Sequence, residues 1–465
     1  MDINALRAQL SSIHQSSVLR FYDQLDKPSQ EKLVGQLSQF DPHYIAELVQ
    51  TQVKTKSTVA IPAKIEPVQA LPQKPSSPEQ TAYYAKAKAR GLELLKLGKV
   101  AAFLVAGGQG TRLGYDGPKG EFPVTPVKNK PLFQVFAEQL LFWSNESGKS
   151  IPWYVMTSDA NDARTREYFA KHKHFGYSPE DVFFFKQGAM PAFSFEGEML
   201  LQAKDELALS ADGHGGSLRA LDKSGALADM QRRGVEHLSY FQVDNPIVHT
   251  IDPLFLGLHD LSGSEMSSKT ISKASALEKV GNFCVADGVL QVIEYSDLPE
   301  SLAKETNADG SLKFNAGSIA IHALRVSFIQ RLNAGGQLKL PWHRAEKKVP
   351  YVDASGTLVK PDKPNAIKLE QFVFDAIPLA KNAIVYTTDR AEEFSPVKNA
   401  EGSDSPATSR ADQSRRFARW LEAAGLKVPQ NVTLEISPLL AATSDAVASR
   451  IKNLSIKPGE SVYLD

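Results

Sequence analysis

Residues 101–114 read AAFLVAGGQGTRLG, six apolar residues that run directly into a loop with four glycines. A short apolar run bounded by glycine is typical of a buried β-strand, and clustered glycines indicate a sharp turn. We therefore predict a strand from Ala101 to Ala106 that ends in a glycine-rich loop.

Similar apolar runs alternate with helical patterns beyond this loop. The further predicted strands are Trp153 to Met156, Val182 to Phe185 and Leu238 to Val243, and the predicted helices are Pro131 to Trp143 and Asp159 to His174. Such alternation is typical of βαβ units on a mainly parallel sheet. Two further strands, Asn282 to Val285 and Val289 to Tyr295, flank Asp287-Gly288, a dipeptide suited to a hairpin turn. The sequence thus predicts a three-layer, Rossmann-like α/β fold with a mixed, mostly parallel sheet and an antiparallel insertion.

Three segments are expected along the chain. Residues 1–98 hold an N-terminal helical unit and a linker, because Lys54 to Gln80 contains five prolines and no aromatic residue and cannot sustain a helix. Residues 99–405 carry the α/β pattern. Residues 406–465 begin with a helix, Ser414 to Ala424, and continue into a β-prone tail, which predicts a small C-terminal β-containing domain.

Composition excludes several function classes. The 465 residues are 42% hydrophobic and 23% charged, as in folded globular proteins. Lys plus Arg and Asp plus Glu both number 53, so the formal net charge is zero. The chain therefore has no excess positive charge that would attract nucleic acid or a membrane surface over a long range. The single cysteine, Cys284, cannot form an intrachain disulfide, and Met1-Asp2-Ile3-Asn4 lacks the pattern of a secretory signal. We therefore expect a cytoplasmic location, with no nucleic-acid or membrane partner.

The glycine-rich loop has the chemistry of a phosphate site. Ligands of open α/β sheets bind where strands end, and glycines there let backbone amides approach phosphate oxygens. Arg112 and Lys119 add positive charge. The Walker pattern is absent from this loop, because its glycines are not followed by Lys and then Ser or Thr, and Gly108, Gly110 and Gly114 miss the dinucleotide spacing by one residue. We predict a nucleoside triphosphate site of another type.

Asp244 follows the predicted strand Leu238 to Val243, which places it at the same sheet edge as the loop. A divalent ion that bridges phosphate oxygens needs hard oxygen ligands, and one carboxylate with phosphates and waters suffices for magnesium. Asp244 is the predicted ligand of Mg²⁺, the expected cofactor.

The segment from Leu104 to Gly114, with Pro118-Lys119-Gly120, resembles the signature of eukaryotic-type UDP-N-acetylhexosamine pyrophosphorylases, within the UDP-sugar pyrophosphorylase family of nucleotidyltransferases. The resemblance continues along most of the chain in the same order. It includes QG at 187–188, ADGHGG at 211–216, VDN at 243–245, VIEYS at 292–296, FNAG at 314–317, KPDKPN at 360–365, FVFD at 372–375 and EFSPVKN at 393–399.

This resemblance implies roles for individual residues, and it implies UTP and a sugar 1-phosphate as partners. The implied nucleotide-binding residues are Leu104, Gly107, Gly108, Gln187 and Gly213. The implied sugar-binding residues are His214, Gly281, Glu294, Asn315, Phe372 and Phe374, and the implied catalytic cations are Arg112, Lys119 and Lys398. The expected reaction forms a UDP-N-acetylhexosamine, with UDP-GlcNAc favoured, and pyrophosphate.

Two alternatives remain open from the sequence. His214 stands where hexosamine-specific members usually carry Asn and is similar to the motif of UDP-glucose and broad UDP-sugar enzymes, so the preferred sugar is open. A catalytically silent UDP-sugar-binding regulatory protein is the alternative of another class. The joint presence of Arg112, Lys119, Asp244 and Lys398 argues against it. The oligomeric state is not predicted.

Overall fold

The apolar run before the glycine-rich loop forms the strand Val100–Val105, with parallel strands on both sides of it. The computed structural model describes residues 2–55, 62–335, 338–452 and 454–465. These residues form two compact units. The smaller unit is drawn from Met1–Ile61, Gln187–Ser217 and Lys339–Val373, and the larger unit from Pro62–Lys186, Leu218–Leu338 and Phe374–Asp465.

The larger unit is built on a sheet for which the described residues supply ten strands. In chain order they are β1 (Ile65–Pro67), β2 (Val100–Val105), β3 (Trp153–Thr157), β4 (Val182–Lys186), β5 (His237–Gln242), β6 (Met266–Ser272), β7 (Asn282–Ala286), β8 (Val289–Ile293), β9 (Ala316–Arg325) and β10 (Ala383–Thr387). The main path runs in the order β10, β6, β9, β5, β2, β3, β4, and β7 joins the start of β9 to β8 and β1.

Strand directions agree with the predicted fold class. Strands β5, β2, β3 and β4 are parallel, and β6 is parallel to β10, whereas β9 runs antiparallel to β5 and to β6. The mixed, mostly parallel sheet is therefore confirmed. Strands β7 and β8 form the predicted antiparallel hairpin, with Asp287 and Gly288 at positive φ in its turn.

Burial explains why apolar and polar residues do not alternate along the central strands. Ala101, Ala102, Phe103 and Leu104 of β2 have no exposed surface, so both faces of the strand are covered. Parallel strands covered on both faces consist of nearly continuous apolar residues, since water reaches neither side. Five of the six predicted strands agree with the structure to within one residue at each end, whereas the sixth, predicted from Val289 to Tyr295, ends two residues earlier, at Ile293.

Helices occur in both units. In chain order, the α-helices of the described residues are Ile3–Ser12, Lys27–Leu37, Pro42–Leu48, Pro78–Lys96, Leu132–Ser147, Asp162–Lys171, Gly216–Lys223, Ala226–Arg233, Pro253–Leu261, Glu300–Ala303, Val326–Asn333, Arg390–Glu393, Pro406–Ala423 and Ser444–Arg450. None of these helices is long and apolar enough to cross a bilayer. The last long helix begins eight residues before the predicted Ser414, because Ser405 and Thr408 form a capping box at its start.

The proline-rich segment is extended from Pro62 to Ser77, as predicted, but its last three residues, Pro78 to Gln80, begin the helix Pro78–Lys96, because Ser77 caps that helix and proline is tolerated in its first turn. Ile65–Pro67 pairs antiparallel with β7, and Leu71 exchanges backbone hydrogen bonds with Val385 and Thr387 of β10. Residues 56–61 of the predicted linker lie outside the described residues. The division of the chain at residues 98 and 405 stays a prediction.

Near the C-terminus, Thr433–Ile436 and Ser461–Leu464 form a parallel pair with its own apolar cluster around Trp420, Leu421 and Leu434. The helix Ser444–Arg450 contributes Val447 to the same cluster. This part of the larger unit therefore has a small core separate from that of the main sheet.

The smaller unit packs the N-terminal helices on short antiparallel strands. Its strands are Ala189–Pro191 with Leu209–Ala211, Phe193–Ser194 with Ala366–Glu370 and His343–Lys347, Leu201–Ala203 with Glu206–Leu207, and Tyr351–Val352 with Leu358–Val359. Leu33, Phe193 and Ile367 are fully buried in its apolar cluster. Because three distant chain segments supply this cluster, the unit cannot be recognised from local pattern alone.

Two glycines allow the helices Pro78–Lys96 and Pro253–Leu261 to touch along their backbones. A Cβ added at Gly91 would lie 1.8 Å from the carbonyl oxygen of Pro253, and one at Gly257 would lie 1.7 Å from that of Ala87. Neither neighbour is a flexible side chain. The helix crossing therefore depends on glycine at both positions.

We expect Gly91→Ala to lower the free energy of unfolding by at least ~2 kcal/mol, because overpacking against rigid backbone forces the helices apart. The control is Gly35→Ala in the helix Lys27–Leu37, where an added Cβ would meet no atom within 4 Å. That change should be neutral or raise stability by ~0.5–1 kcal/mol, since alanine has the higher helix propensity. Urea unfolding followed by circular dichroism measures both, and equal effects would contradict the glycine contact.

Candidate active site

The glycine-rich loop leaves the carboxyl end of β2 and folds back on itself. The Lys119 amide donates to the Gly108 carbonyl at 3.1 Å, and the Gly110 amide donates to the Gly117 carbonyl at 2.8 Å. Between them, Thr111–Leu113 forms a 3-10 turn that ends at Gly114 with φ of 69°. The loop is therefore a closed hairpin that presents Arg112 and Lys119 from its two arms.

Two glycines of this hairpin differ in their surroundings. Gly117 has φ of +147°, and a Cβ there would lie 2.3 Å from the guanidinium of Arg164. A Cβ at Gly108 would meet no atom within 4 Å, so the space in front of it is open. The Gly108 backbone thus offers room for a ligand, as the phosphate-site prediction requires.

Side chains that follow β3 hold the loop in place. The Ser158 hydroxyl donates to the Gly107 carbonyl at 3.0 Å, and the Asn161 amide donates to the Ala106 carbonyl at 3.0 Å. Arg164 donates two hydrogen bonds to the buried carboxylate of Glu121, two residues beyond Lys119. Sequence analysis missed these residues, although their position after a predicted parallel strand was the available signal.

Three charged residues predicted for the site act electrostatically on a fourth, Lys119. Burial lowers the pKa of Lys119, the carboxylate of Asp244 opposes this shift, and the cations of Arg112 and Lys398 add to it. These residues belong to three separate stretches of the larger unit. The structure therefore brings together Arg112, Lys119, Lys398 and Asp244.

Asp244 stands two residues beyond the end of β5, at the carboxyl edge predicted from the sequence. Its carbonyl accepts a 2.7 Å hydrogen bond from the Val397 amide, which ties the segment before Lys398 to this strand end. The Lys398 amide donates to the Asp404 carbonyl, and its ammonium lies 3.9 Å from the Asp404 carboxylate. Both residues are only partly buried, so their charged groups are available to a ligand.

Three predicted sugar-binding residues lie around the β7–β9 region of the larger unit. A Cβ built at Gly281 would lie 3.4 Å from the carboxylate of Glu294, so these two residues are neighbours. The Asn315 side-chain oxygen accepts a hydrogen bond from the Lys273 amide at 2.8 Å, which fixes its orientation at the start of β9. Leu104 and Phe374 are buried, and their predicted ligand contacts stay predictions.

The other predicted binding residues belong to the smaller unit. The Gln187 amide donates to the Gly213 carbonyl at 2.7 Å, and Gly213 has φ of +83°. His214 Nδ1 accepts from the Val373 amide at 3.1 Å, and its ring stacks on Phe372 with centroids 5.3 Å apart. This hydrogen bond places the neutral imidazole's proton on Nε2.

A cluster of His249, Asp252 and Glu393 has ligand atoms within 4.8 Å of one another, as a metal site would. The Lys269 ammonium, however, lies 2.6 Å from both the Asp252 and Glu393 carboxylates. Burial by itself lowers the pKa of Lys269, but the two carboxylates outweigh it and raise that pKa. An internal cation already fills the position, so this cluster is an ion-pair network. Asp244 remains the better candidate for a metal ligand.

The arrangement defines a class of protein. A mostly parallel sheet carries a glycine-rich hairpin with two cations at the end of one strand and a carboxylate at the end of its neighbour. These are the parts needed to hold a triphosphate and neutralise its charge during nucleotidyl transfer. The fold and site are those of a nucleotidyltransferase.

Comparison with known proteins gives the family. The family model for UTP–glucose-1-phosphate uridylyltransferase matches residues 44–456. The chain is 36% identical to the UDP-N-acetylhexosamine pyrophosphorylase-like protein 1 of Homo sapiens, over 95% of this chain and 93% of that protein. It is 37% identical to the UDP-N-acetylglucosamine pyrophosphorylase of Saccharomyces cerevisiae, over 92% and 93%.

Solved structures of similar proteins share the fold of this chain. The uridine diphosphate N-acetylglucosamine pyrophosphorylase of Trypanosoma brucei, 24% identical, shares the fold with a TM-score of 0.83 over 99% of this chain and 98% of that one. A structure described as a UDP-N-acetylglucosamine pyrophosphorylase of Entamoeba histolytica is 32% identical, with a TM-score of 0.73 over 86% and 99%. The chain belongs to the UTP–glucose-1-phosphate uridylyltransferase family and is an enzyme of the nucleotidyltransferase class.

His214 should stay neutral across the physiological pH range. Burial of the ring, with a smaller contribution from His343, lowers the pKa of His214 to about 4. In ¹⁵N-edited NMR spectra we expect the ring to remain the Nε2–H tautomer from pH 8 down to about pH 5. A resonance assigned through His214→Asn that titrates near the unperturbed value of ~6.5 would contradict this assignment.

Proposed function

We propose that the chain transfers the uridylyl group of UTP to N-acetylglucosamine 1-phosphate and releases pyrophosphate. The observation that carries the proposal is the convergence of Arg112, Lys119 and Lys398 on the strand end that bears Asp244. The relatives named as UDP-N-acetylglucosamine pyrophosphorylases, which align over nearly the whole chain, support this reaction.

The reaction needs no nucleophile from the protein. A phosphate oxygen of the sugar 1-phosphate, already an anion at neutral pH, forms a bond to the α-phosphorus of UTP. The bond between that phosphorus and the bridging α–β oxygen breaks, and its electron pair leaves with pyrophosphate. Catalysis then consists of alignment and charge neutralisation.

Each cation has a distinct place in this scheme. The exposed guanidinium of Arg112 suits bidentate contact with phosphate oxygens. Lys119 is more buried, and its pKa is lowered first by burial and then by the cations of Arg112 and Lys398, whose effect a bound triphosphate would offset. Lys398 would reach the reacting phosphates from the segment that follows β10. The triphosphate therefore stabilises a group of cations that repel one another in its absence.

We further propose Mg²⁺ as the divalent cation, with Asp244 as its protein ligand. The carboxylate fits this role because it is a partly buried hard oxygen donor whose charge acts on Lys119. A bound cation would offset charge on the triphosphate. The sequence-based expectation of a cytoplasmic location stays a prediction.

The nucleotide-binding and sugar-binding residues are proposed from the resemblance to the family. For the nucleotide we propose Leu104, Gly107, Gly108, Gln187 and Gly213. For the sugar we propose His214, Gly281, Glu294, Asn315, Phe372 and Phe374. The Glu294 carboxylate beside Gly281 is suited to accept from sugar hydroxyls, and an amide such as that of Asn315 can donate to them. A neutral His214 with its proton on Nε2 is a donor, as the amide of Asn would be.

The substrate proposal is tested by a panel of sugar phosphates. Wild-type protein with UTP and Mg²⁺ should release pyrophosphate fastest with N-acetylglucosamine 1-phosphate, compared with the N-acetylgalactosamine, glucose and galactose 1-phosphates. Chelation of the metal should abolish release. A preference for unsubstituted hexose phosphates would overturn the sugar assignment, and no release with any of them would indicate a silent UDP-sugar-binding protein.

The charge-neutralisation mechanism predicts that Arg112→Ala and Lys119→Ala each lower kcat/KM by at least ~100-fold. Loss of one preorganised electrostatic contact costs roughly 3 kcal/mol in the transition state. Arg232→Ala and Lys149→Ala serve as matched controls, because both side chains are exposed on the surface away from the loop. Near-normal turnover by the two site variants, with folded protein verified by circular dichroism, would refute the mechanism.

A further inference from the structure

Asn245, the residue after Asp244, joins two segments of the larger unit. Its side-chain amide donates to the Glu393 carbonyl at 2.6 Å, and its side-chain oxygen accepts from the Ser395 amide at 3.2 Å. With the bond from the Val397 amide to the Asp244 carbonyl, three hydrogen bonds align these segments. Asn245 is 5% exposed, so water does not compete for its partners.

Glu393 is fixed at its side chain as well as at its backbone. Its carboxylate accepts from the Lys269 ammonium at 2.6 Å, from the Thr388 hydroxyl at 2.6 Å and from the His249 amide at 3.3 Å. Only 1% of Glu393 is exposed. The folded protein has already removed water from this carboxylate. If the carboxylate moved away from its donors inside the protein, it would have neither water nor hydrogen bonds, so the segment has one favourable position.

Lys269, in the middle of β6, anchors this network. It lies on β6 with 1% of its surface exposed, and its ammonium also bonds the Asp252 carboxylate at 2.6 Å. Asp252 in turn accepts from the Leu254 and Phe255 amides at the start of the helix Pro253–Leu261. A strand, a helix and the segment before Lys398 therefore meet at one ammonium group.

The far end of the same segment is tied to the helix Pro406–Ala423. The Ser395 hydroxyl donates to the Asp412 carboxylate at 2.7 Å, and the Ser409 hydroxyl donates to the Ser395 carbonyl at 2.9 Å. Three residues later the chain reaches Lys398. The backbone that leads to Lys398 is thus held beside Asp244 by contacts that touch neither the Lys398 ammonium nor the Asp244 carboxylate.

We propose that Asn245 and the buried Lys269–Glu393 ion pair are positioning residues for uridylyl transfer. They hold the segment that carries Lys398 against the strand end that carries Asp244. Neither is a catalytic residue. The inference rests on the proposed function, because it assumes that Lys398 and Asp244 act on the same phosphates.

The expected magnitude follows from geometry. A displacement of about 1 Å at reacting groups can lower turnover by ~100-fold, and loss of a residue that orients a ligand typically costs 10- to 100-fold. Loss of position affects the transition state more than the first binding of the sugar phosphate. We therefore expect kcat and KM to respond differently.

The test uses Asn245→Ala, because removal of Lys269 would leave two buried carboxylates without a cation and risks unfolding. In the full-length protein we expect kcat to fall by ~10- to 100-fold and KM for N-acetylglucosamine 1-phosphate to change by less than about threefold. The matched control is Asn333→Ala. Asn333 is 7% exposed and donates to two backbone carbonyls, those of Leu218 and Ile329. The Asn333→Ala variant should lose about as much thermal stability as Asn245→Ala and keep kcat within about twofold of the wild-type value.

A second readout does not depend on turnover. Pyridoxal 5′-phosphate with borohydride labels accessible lysines in phosphate sites, and peptide mass spectrometry gives the rate at Lys398. Inorganic pyrophosphate should protect Lys398 in the wild type and in Asn333→Ala, whereas Asn245→Ala should need roughly tenfold more pyrophosphate, in line with the loss of an orienting residue.

The outcomes separate the two proposals. Unchanged kcat and unchanged protection in folded Asn245→Ala would overturn the positioning role. A different result would be that pyrophosphate protects Lys398 in the wild type and protects it less well in Asn245→Ala, while the wild type shows no turnover. That result would refute uridylyl transfer and leave the positioning role standing. Absence of pyrophosphate protection in the wild type would refute both.

Discussion

The contact on which the rest of the larger unit depends is the Lys269 ammonium between Asp252 and Glu393. An ion taken out of water is unfavourable unless close partners of opposite charge replace its hydration. Here the two carboxylates raise the pKa of Lys269 against the effect of burial. Because each partner comes from a different element, the strand, the helix and the segment before Lys398 hold their positions together.

This constraint matters because the proposed site contains more cations than it can itself neutralise. Arg112, Lys119 and Lys398 carry three positive charges, against the carboxylate of Asp244 and that of Asp404, which lies 3.9 Å from the Lys398 ammonium, and burial further disfavours the charged form of Lys119. Repulsion among them would push a mobile loop apart. Separate buried contacts resist it: the Arg164–Glu121 pair supports the loop on one side, and the Lys269 network supports the segment on the other. A triphosphate then completes the charge balance.

Local pattern predicted the strands whose apolar character is continuous, and it failed for strands of another kind. Strand β6 reads MSSKTIS, yet six of its seven residues are buried. Its polar side chains are satisfied by partners distant in sequence, such as Asp252 and Glu393 for Lys269 and His322 for Ser268. Hydropathy cannot anticipate such pairing, because each partner is meaningful only after the chain has folded. Long-range pairing likewise decided β9 and β10.

The sequence by itself predicted the glycine-rich loop, its cations and the carboxylate at the neighbouring strand end. Each of these depends on local chemistry: φ at glycines, charge beside a turn, and the shared edge of parallel strands. Only the tertiary structure decided that the Lys269 ammonium occupies the cation position in the cluster of His249, Asp252 and Glu393. It also decided that Asn245 joins the two segments that carry Asp244 and Lys398. The physical reason is that burial and hydrogen-bond geometry join residues more than a hundred positions apart.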